Sequence, residues 1–155
     1  MEFVTDRTLQ DVLHWQTLLK KGWANMNAVE RAEWLTAMKG AYGATDMNRV
    51  ESAVKALSAR LSELGYKHDS LSTKTDWTMQ DVPTKEDFDR YFSNVEVLRQ
   101  SISIPESTPE TPTTKNRLNY HRANDLEKIL QTLDVVTTTL PKSWYYAGEI
   151  FTGEV

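Results

Sequence analysis

KGAYGATDMNRVESAVKALSARLSELGY, residues 39–66, decides the fold class. Met47, Val50, Val54, Leu57, Leu61 and Leu64 follow one another at alternating steps of three and four, which places all six on one face of a helix. Thr45 stands where an N-cap hydroxyl would accept from the first free amides, and Gly65 stands where a left-handed C-terminal residue is wanted. Glu51 and Lys55 make a favourable i,i+4 pair, expected on the wet side. This helix should span 46–64 and form the centre of a bundle.

Toward the N-terminus, residues 2–6 read as a short extended segment anchored by Phe3. Thr8 then caps a helix over 9–21, with Asp11 in the reciprocal position. Its apolar face is Leu9, Val12, Leu13 and Leu19, broadened by Trp15 and Leu18, and Gly22 stops it. Asn27 and Glu30 form a capping box that opens a helix over 28–39, with Val29, Ala32, Leu35 and Met38 as its row and Gly40 as its end. Two helices joined so closely are expected to form a hairpin packed on the central helix.

Toward the C-terminus, residues 67–84 show neither helical nor strand period. Trp77, Met79 and Val82 are expected to pin this stretch to the core; its length implies a functional loop or an ordered arm across the bundle. Thr84 and Asp87 cap a helix over 85–103 whose face carries Phe88, Tyr91, Phe92, Val95, Leu98 and Ile102. Residues 1–104 thus form a helical domain. Residues 105–118, rich in Pro and Thr, read as an extended, exposed linker. Asn119 caps a final helix over 119–140, packing on the same bundle, with Ala123, Leu126, Ile129, Leu130, Leu133, Val136 and Leu140 as its stripe; Pro141 should end it. Residues 141–155 carry aromatics at both parities and read as an extended tail. The expected architecture is all-α: an antiparallel bundle of about five helices with short extended N- and C-terminal segments.

Composition narrows the function. The 155 residues carry 18 Lys and Arg against 22 Asp and Glu, a formal charge of -4, with the basic residues scattered among acids. Nucleic acid is therefore not expected as a partner, because phosphate binding needs clustered cations. With no cysteine, disulfides and thiolate metal sites are excluded. No apolar run approaches the roughly 20 residues of a membrane span, so no membrane association is expected. His14, His68 and His121 show no ligand spacing beyond the single i,i+4 pair of His121 with Asp125, and two ligands do not make a metal site. Asp87 with Asp89 and Asp125 with Glu127 are two apart and do not share a helix face. No nucleophile elbow or phosphate loop occurs. The reading is no enzyme, no cofactor and no metal. Of Trp15, Trp23, Trp34, Trp77 and Trp144, the first four are expected to fill the core or anchor interfaces.

Four stretches carry a resemblance: KGAYGATDMNRVESAVKALSARL, TDWTMQDVPT, ANDLEKIL with its downstream helix, and WYYAGEIFTGEV. Ala41 and Tyr42 through Asn48, Arg49 and Val50, together with Gly148, Glu149 and Ile150, are its distinctive set. Over nearly its full length the chain resembles short tail-module proteins of phages and prophages of Gram-positive bacteria. That resemblance implies a structural component of a virion or tail, made in the bacterial host cytoplasm, and assigns no chemical role to any residue. The expected function is assembly with other tail proteins and with copies of itself at a tail tip, baseplate or fibre attachment. Trp144, Tyr146, Ile150 and Phe151 are the expected contact residues, adding to a neighbour's sheet edge or burying in its groove. The alternative is a host-adhesion module that stacks exposed aromatics on a cell-wall glycan.

Overall fold

The computed structural model describes residues 1–36, 38–113 and 118–151, with side chains described as far as Ser143. Among them are five α-helices and no strand: α1 (Leu9–Lys21), α2 (Ala28–Trp34), α3 (Ala44–Glu63), α4 (Lys85–Gln100) and α5 (Tyr120–Phe151). A single 3-10 turn, Trp23–Asn25, joins the first two. The molecule is an all-helical bundle, and its core is built by α3, α4 and α5 packing on one another. Val50, Leu57 and Leu61 of α3, Val95 and Leu98 of α4, and Leu126, Ile129, Leu130 and Leu133 of α5 are all inaccessible to solvent.

The capping signals act as read for α1, α2 and α4. Thr8, Asn27 and Thr84 each accept from the backbone N–H three residues on, and Asp11, Glu30 and Asp87 return the bond. Gly22 and Gly65 adopt positive φ, 73° and 84°. The central helix begins earlier than Thr45 implies: its N-cap is Gly43, whose N–H donates to the Asp46 carboxylate at 3.0 Å. The Asp46 carboxylate, three residues inside the helix, thus satisfies the Gly43 amide, while Gly43 has no side chain to accept in return.

Ion pairs fix the direction of the core helices. Arg49 binds Glu127, while Arg60 binds Asp134 and the Thr138 hydroxyl. At 1.5 Å per residue, Arg60 lies about 16 Å along α3 from Arg49, and Asp134 lies about 10 Å along α5 from Glu127. Both pairs close only if α3 and α5 run in the same direction. Arg90 meets Glu51, and Asn94, one turn on, meets Ser72, which lies on the chain returning from the end of α3, so α4 follows that direction too. The antiparallel arrangement is thereby corrected. Parallel neighbours need connections as long as the helices themselves, which explains the two long segments 64–84 and 101–119. The first is an ordered arm along α3. The second is exposed at Pro105, Glu106, Ser107, Glu110 and Thr113, as read, but pinned to the bundle between them: Thr108 and Pro112 are buried, and Arg99 Nε donates to the Pro109 carbonyl at 3.1 Å. Residues 114–117 lie outside the described set.

Three further expectations change. The N-terminal hairpin is not built into the core and touches only the start of α3, where Trp15 and Trp34 share a pocket with Ala44, Thr45 and Asp46; α1 and α2 meet each other through His14 with Glu33 at 2.8 Å and Lys21 with Glu30 at 2.6 Å. Of the apolar face read for α1, Leu9, Leu13 and Leu19 stay exposed and Leu18 is buried; on α2, Val29 and Leu35 stay exposed. Second, α2 stops at Trp34 rather than 39, because the chain must bring Gly40 onto the backbone of Asp11; a Cβ there would lie 2.0 Å from the Asp11 carbonyl oxygen. Similarly, α4 stops at Gln100 rather than 103. Third, Pro141 does not end the last helix: the backbone of 141–151 continues α5, correcting the extended tail over those residues. Thr137, Thr138, Thr139 and Ser143 return their hydroxyls to carbonyls one turn back, so the polar side chains around the proline bond within the helix. Residues 152–155 are outside the described set.

Candidate functional site

Residues 1–8 form no helix and run as a strap along α5. Val4 N–H donates to Glu127 Oε2 at 2.6 Å. Three residues on, Asn124 grips the backbone of Arg7 from both sides: Arg7 N–H donates to Oδ1 at 3.0 Å, and Nδ2 donates to the Arg7 carbonyl at 2.9 Å. Phe3 packs against the core from the same strap.

The long arm repeats this arrangement on α3. Lys74 N–H donates to Glu51 Oε2 at 3.1 Å. Three residues on, Trp77 N–H donates to Asn48 Oδ1 at 2.7 Å, and Asn48 Nδ2 donates to the Trp77 carbonyl at 2.8 Å. A helix-borne Asn-x-x-Glu therefore holds an extended segment at backbone positions three apart, twice. The held segments are also alike: residues 5–12 read TDRTLQDV and residues 75–82 read TDWTMQDV. After each, Thr8 and Thr78 pair with Asp11 and Asp81 in the same way, amide and hydroxyl both donating to one carboxylate oxygen.

The likeness extends down both helices. Lay Asn48 on Asn124, and the buried Met47, Val50, Glu51, Ala53, Val54, Leu57 and Leu61 fall on the buried Ala123, Leu126, Glu127, Ile129, Leu130, Leu133 and Thr137. The chain is an internal repeat whose halves are interlocked. The strap of the first half lies on the long helix of the second, and the strap of the second lies on the long helix of the first. Two parallel helices exchanging straps in this way are related by an approximate two-fold along their common direction.

The halves join at a buried ionic network. Arg7 Nη2 bridges Asp46 and Glu127, each at 2.7 Å, and Arg7 Nη1 donates to the Val4 carbonyl. Arg49 binds Glu127 through Nε at 2.9 Å and Nη2 at 2.7 Å, and also reaches Asp46. Two cations face two carboxylates, so the network is neutral. Burial opposes the Arg49 charge, but its hydrogen bonds to Glu127 and Asp46 outweigh that and hold its pKa above the ordinary range. Beside the network the Tyr42 and Tyr91 hydroxyls share a hydrogen bond, and burial pushes both well above the usual phenol range. On the other clamp Arg90 Nη1 donates to Glu51 Oε2 at 3.0 Å, while Nη2 and Oε1 approach at 2.8 Å as an ion pair without hydrogen-bond angles.

Sequence reasoning missed this site. Glu51 was placed on the wet side with Lys55; it is buried against Arg90. Glu127, noted in the sequence only as sharing no helix face with Asp125, is fully buried. The repeated TD-x-T-x-QDV and N-x-x-E strings were the signal that could have found both. The predicted contact residues Trp144, Tyr146, Ile150 and Phe151 lie on the backbone of α5, and their side chains lie outside the described set. Among the tryptophans, core filling holds for Trp77; Trp23 is half exposed under the Arg31 guanidinium, and Trp15 and Trp34 line an open pocket of about 330 Å³ beside Met38 and Met79. Among the described residues no cluster of metal-ligating side chains occurs, and no helix is long and apolar enough to cross a membrane. Chemically, the clamps recognise a main chain: their polar groups bind backbone amides and a guanidinium. Comparison with known proteins returned no matching family model, no matching curated protein and no matching solved structure.

Proposed function

We propose that this protein works by protein–protein assembly, as a structural component of a phage tail or virion, joining tail proteins and copies of itself. The observation that carries the assembly reading is the outer surface. Val29 and Leu35 of α2, and Met79 and Val82 of the arm, are 76%, 76%, 91% and 86% exposed, while the buried charges are tied into neutral struts. Large apolar side chains left in water, beside a core stiffened by ion pairs, suit a part that gains its last contacts from a neighbour. The phage assignment, and with it a virion location, rests on the sequence resemblance.

The aromatic end of α5 is the proposed contact. With Arg60 opposite Asp134 and Thr138, α3 finishes near the level of Pro141, and the last turns of α5 run on without it. Trp144, Tyr146, Ile150 and Phe151 would enter a neighbour's groove as a helix, in place of the strand addition their sequence implied. Sedimentation of the full chain and of a chain lacking residues 142–155 tests this. The full chain should associate and the truncated one should stay folded and monomeric; equal masses reject the contact. Trp15 and Trp34, lining one open pocket, favour glycan binding as a second reading. It requires tryptophan fluorescence to respond to cell-wall polysaccharide.

A further inference from the structure

We infer that the clamp on α5, Asn124 with Glu127, is an interaction surface for the strap of a second copy of this chain, so that residues 1–8 pass between copies during assembly. This rests on the assembly reading and names its contact. The interlocked repeat is the first ground. Each strap already lies on the helix of the other half, so clamp and strap are complementary without belonging to one contiguous unit.

Recognition is the second ground. The α5 clamp reads backbone amides at Val4 and Arg7 and the Arg7 guanidinium, and a second copy presents the same groups in the same spacing. Exchange therefore breaks and remakes an identical set of bonds, which is why swapping an identical element is a low-cost route to association.

Attachment is the third ground, and it separates the two straps. The strap at 75–78 leads into α4, whose Tyr91, Val95 and Leu98 are locked in the core. The strap at 1–8 leads into α1 and α2, which lie outside the main core, reach only the first turns of α3 and α5 beside Trp15, and hold each other through ion pairs at the surface. Leu9, Leu13, Val29 and Leu35 are already exposed on this layer, and a second copy brought close by exchange would cover them.

The absence of cysteine allows a clean test. One population carries Glu2→Cys with a donor dye, the other Lys128→Cys with an acceptor; both positions are exposed. The two are mixed and incubated at high concentration, and native mass and energy transfer are read together. Exchange predicts an oligomer with transfer between copies. It also predicts that transfer falls at least several-fold with Asn124→Ala on the acceptor copy, and not with Asn48→Ala. Excess peptide of residues 1–12 should compete away the transfer on unaltered clamps, which keeps the test valid if Asn124→Ala unfolds the chain. An oligomer without transfer, or transfer indifferent to the peptide, overturns exchange and leaves assembly standing. A monomer at every concentration overturns exchange and self-association together.

Discussion

Glu127 lies where no solvent reaches it, with two guanidiniums and the Val4 amide around its carboxylate. Replacing one member of such a set leaves the others buried without a counter-charge, which costs about 3–5 kcal/mol. Glu127→Gln should therefore lower the urea-unfolding free energy by about that much, because Arg7 and Arg49 would share Asp46 alone. Gly40 is constrained by contact rather than dihedral: an added methyl would meet the Asp11 carbonyl at 2.0 Å. Backbone cannot swing aside as a side chain can, so Gly40→Ala should destabilise by about 1–3 kcal/mol in the same assay. Neither role is visible in a helical pattern. A glutamate among apolar positions looks the same in a chain whether it meets water or an arginine from a segment far away.

Elements show the reverse balance. The caps of α1, α2 and α4 are local, each closed within four residues, and their sequence signals match the bonds formed. The caps of α1 and α4, with the like Thr78–Asp81 turn, also give stability a pH dependence. The Asp11 carboxyl is held below the usual carboxylate range by the Thr8 hydroxyl and then its amide; Asp81 and Asp87 are held down by the amides of Thr78 and Thr84 and then their hydroxyls. A carboxyl lowered in the folded state contributes stability above its unfolded pKa, and that contribution disappears as pH falls through the folded value. Thermal stability should therefore drop as pH falls below about 4. Part of that slope should vanish in the combined Asp11→Asn, Asp81→Asn and Asp87→Asn variant, measured by melting at stepped pH. Helix ends set by distant contacts were less legible. The end of α2 depends on where Gly40 must go, and α5 passes through Pro141.

The whole molecule is held together across its halves. Because each strap is bound by the other half's helix, neither half has a complete structure alone, and unfolding should be a single transition. Asn48→Ala and Asn124→Ala each leave two backbone groups of a strap without their partner, a loss of about 1–3 kcal/mol. Each should shift the one denaturation midpoint without splitting it; fluorescence and far-UV circular dichroism recorded together would expose a second phase.

The residue order by itself determined that this protein is helical, where α1, α3 and α4 lie to within a few residues, how the starts of α1, α2 and α4 are capped, and which rows of α3, α4 and α5 face the core. Those properties come from interactions spanning three or four positions, and a sequence displays such spacing directly. Tertiary structure alone decided that the core helices run parallel, that Glu51 and Glu127 are buried, and that two alike straps cross between two alike helices. Those depend on pairs such as Arg7 with Asp46 and Glu127, whose energy is Coulombic and short-ranged in space but indifferent to distance along the chain.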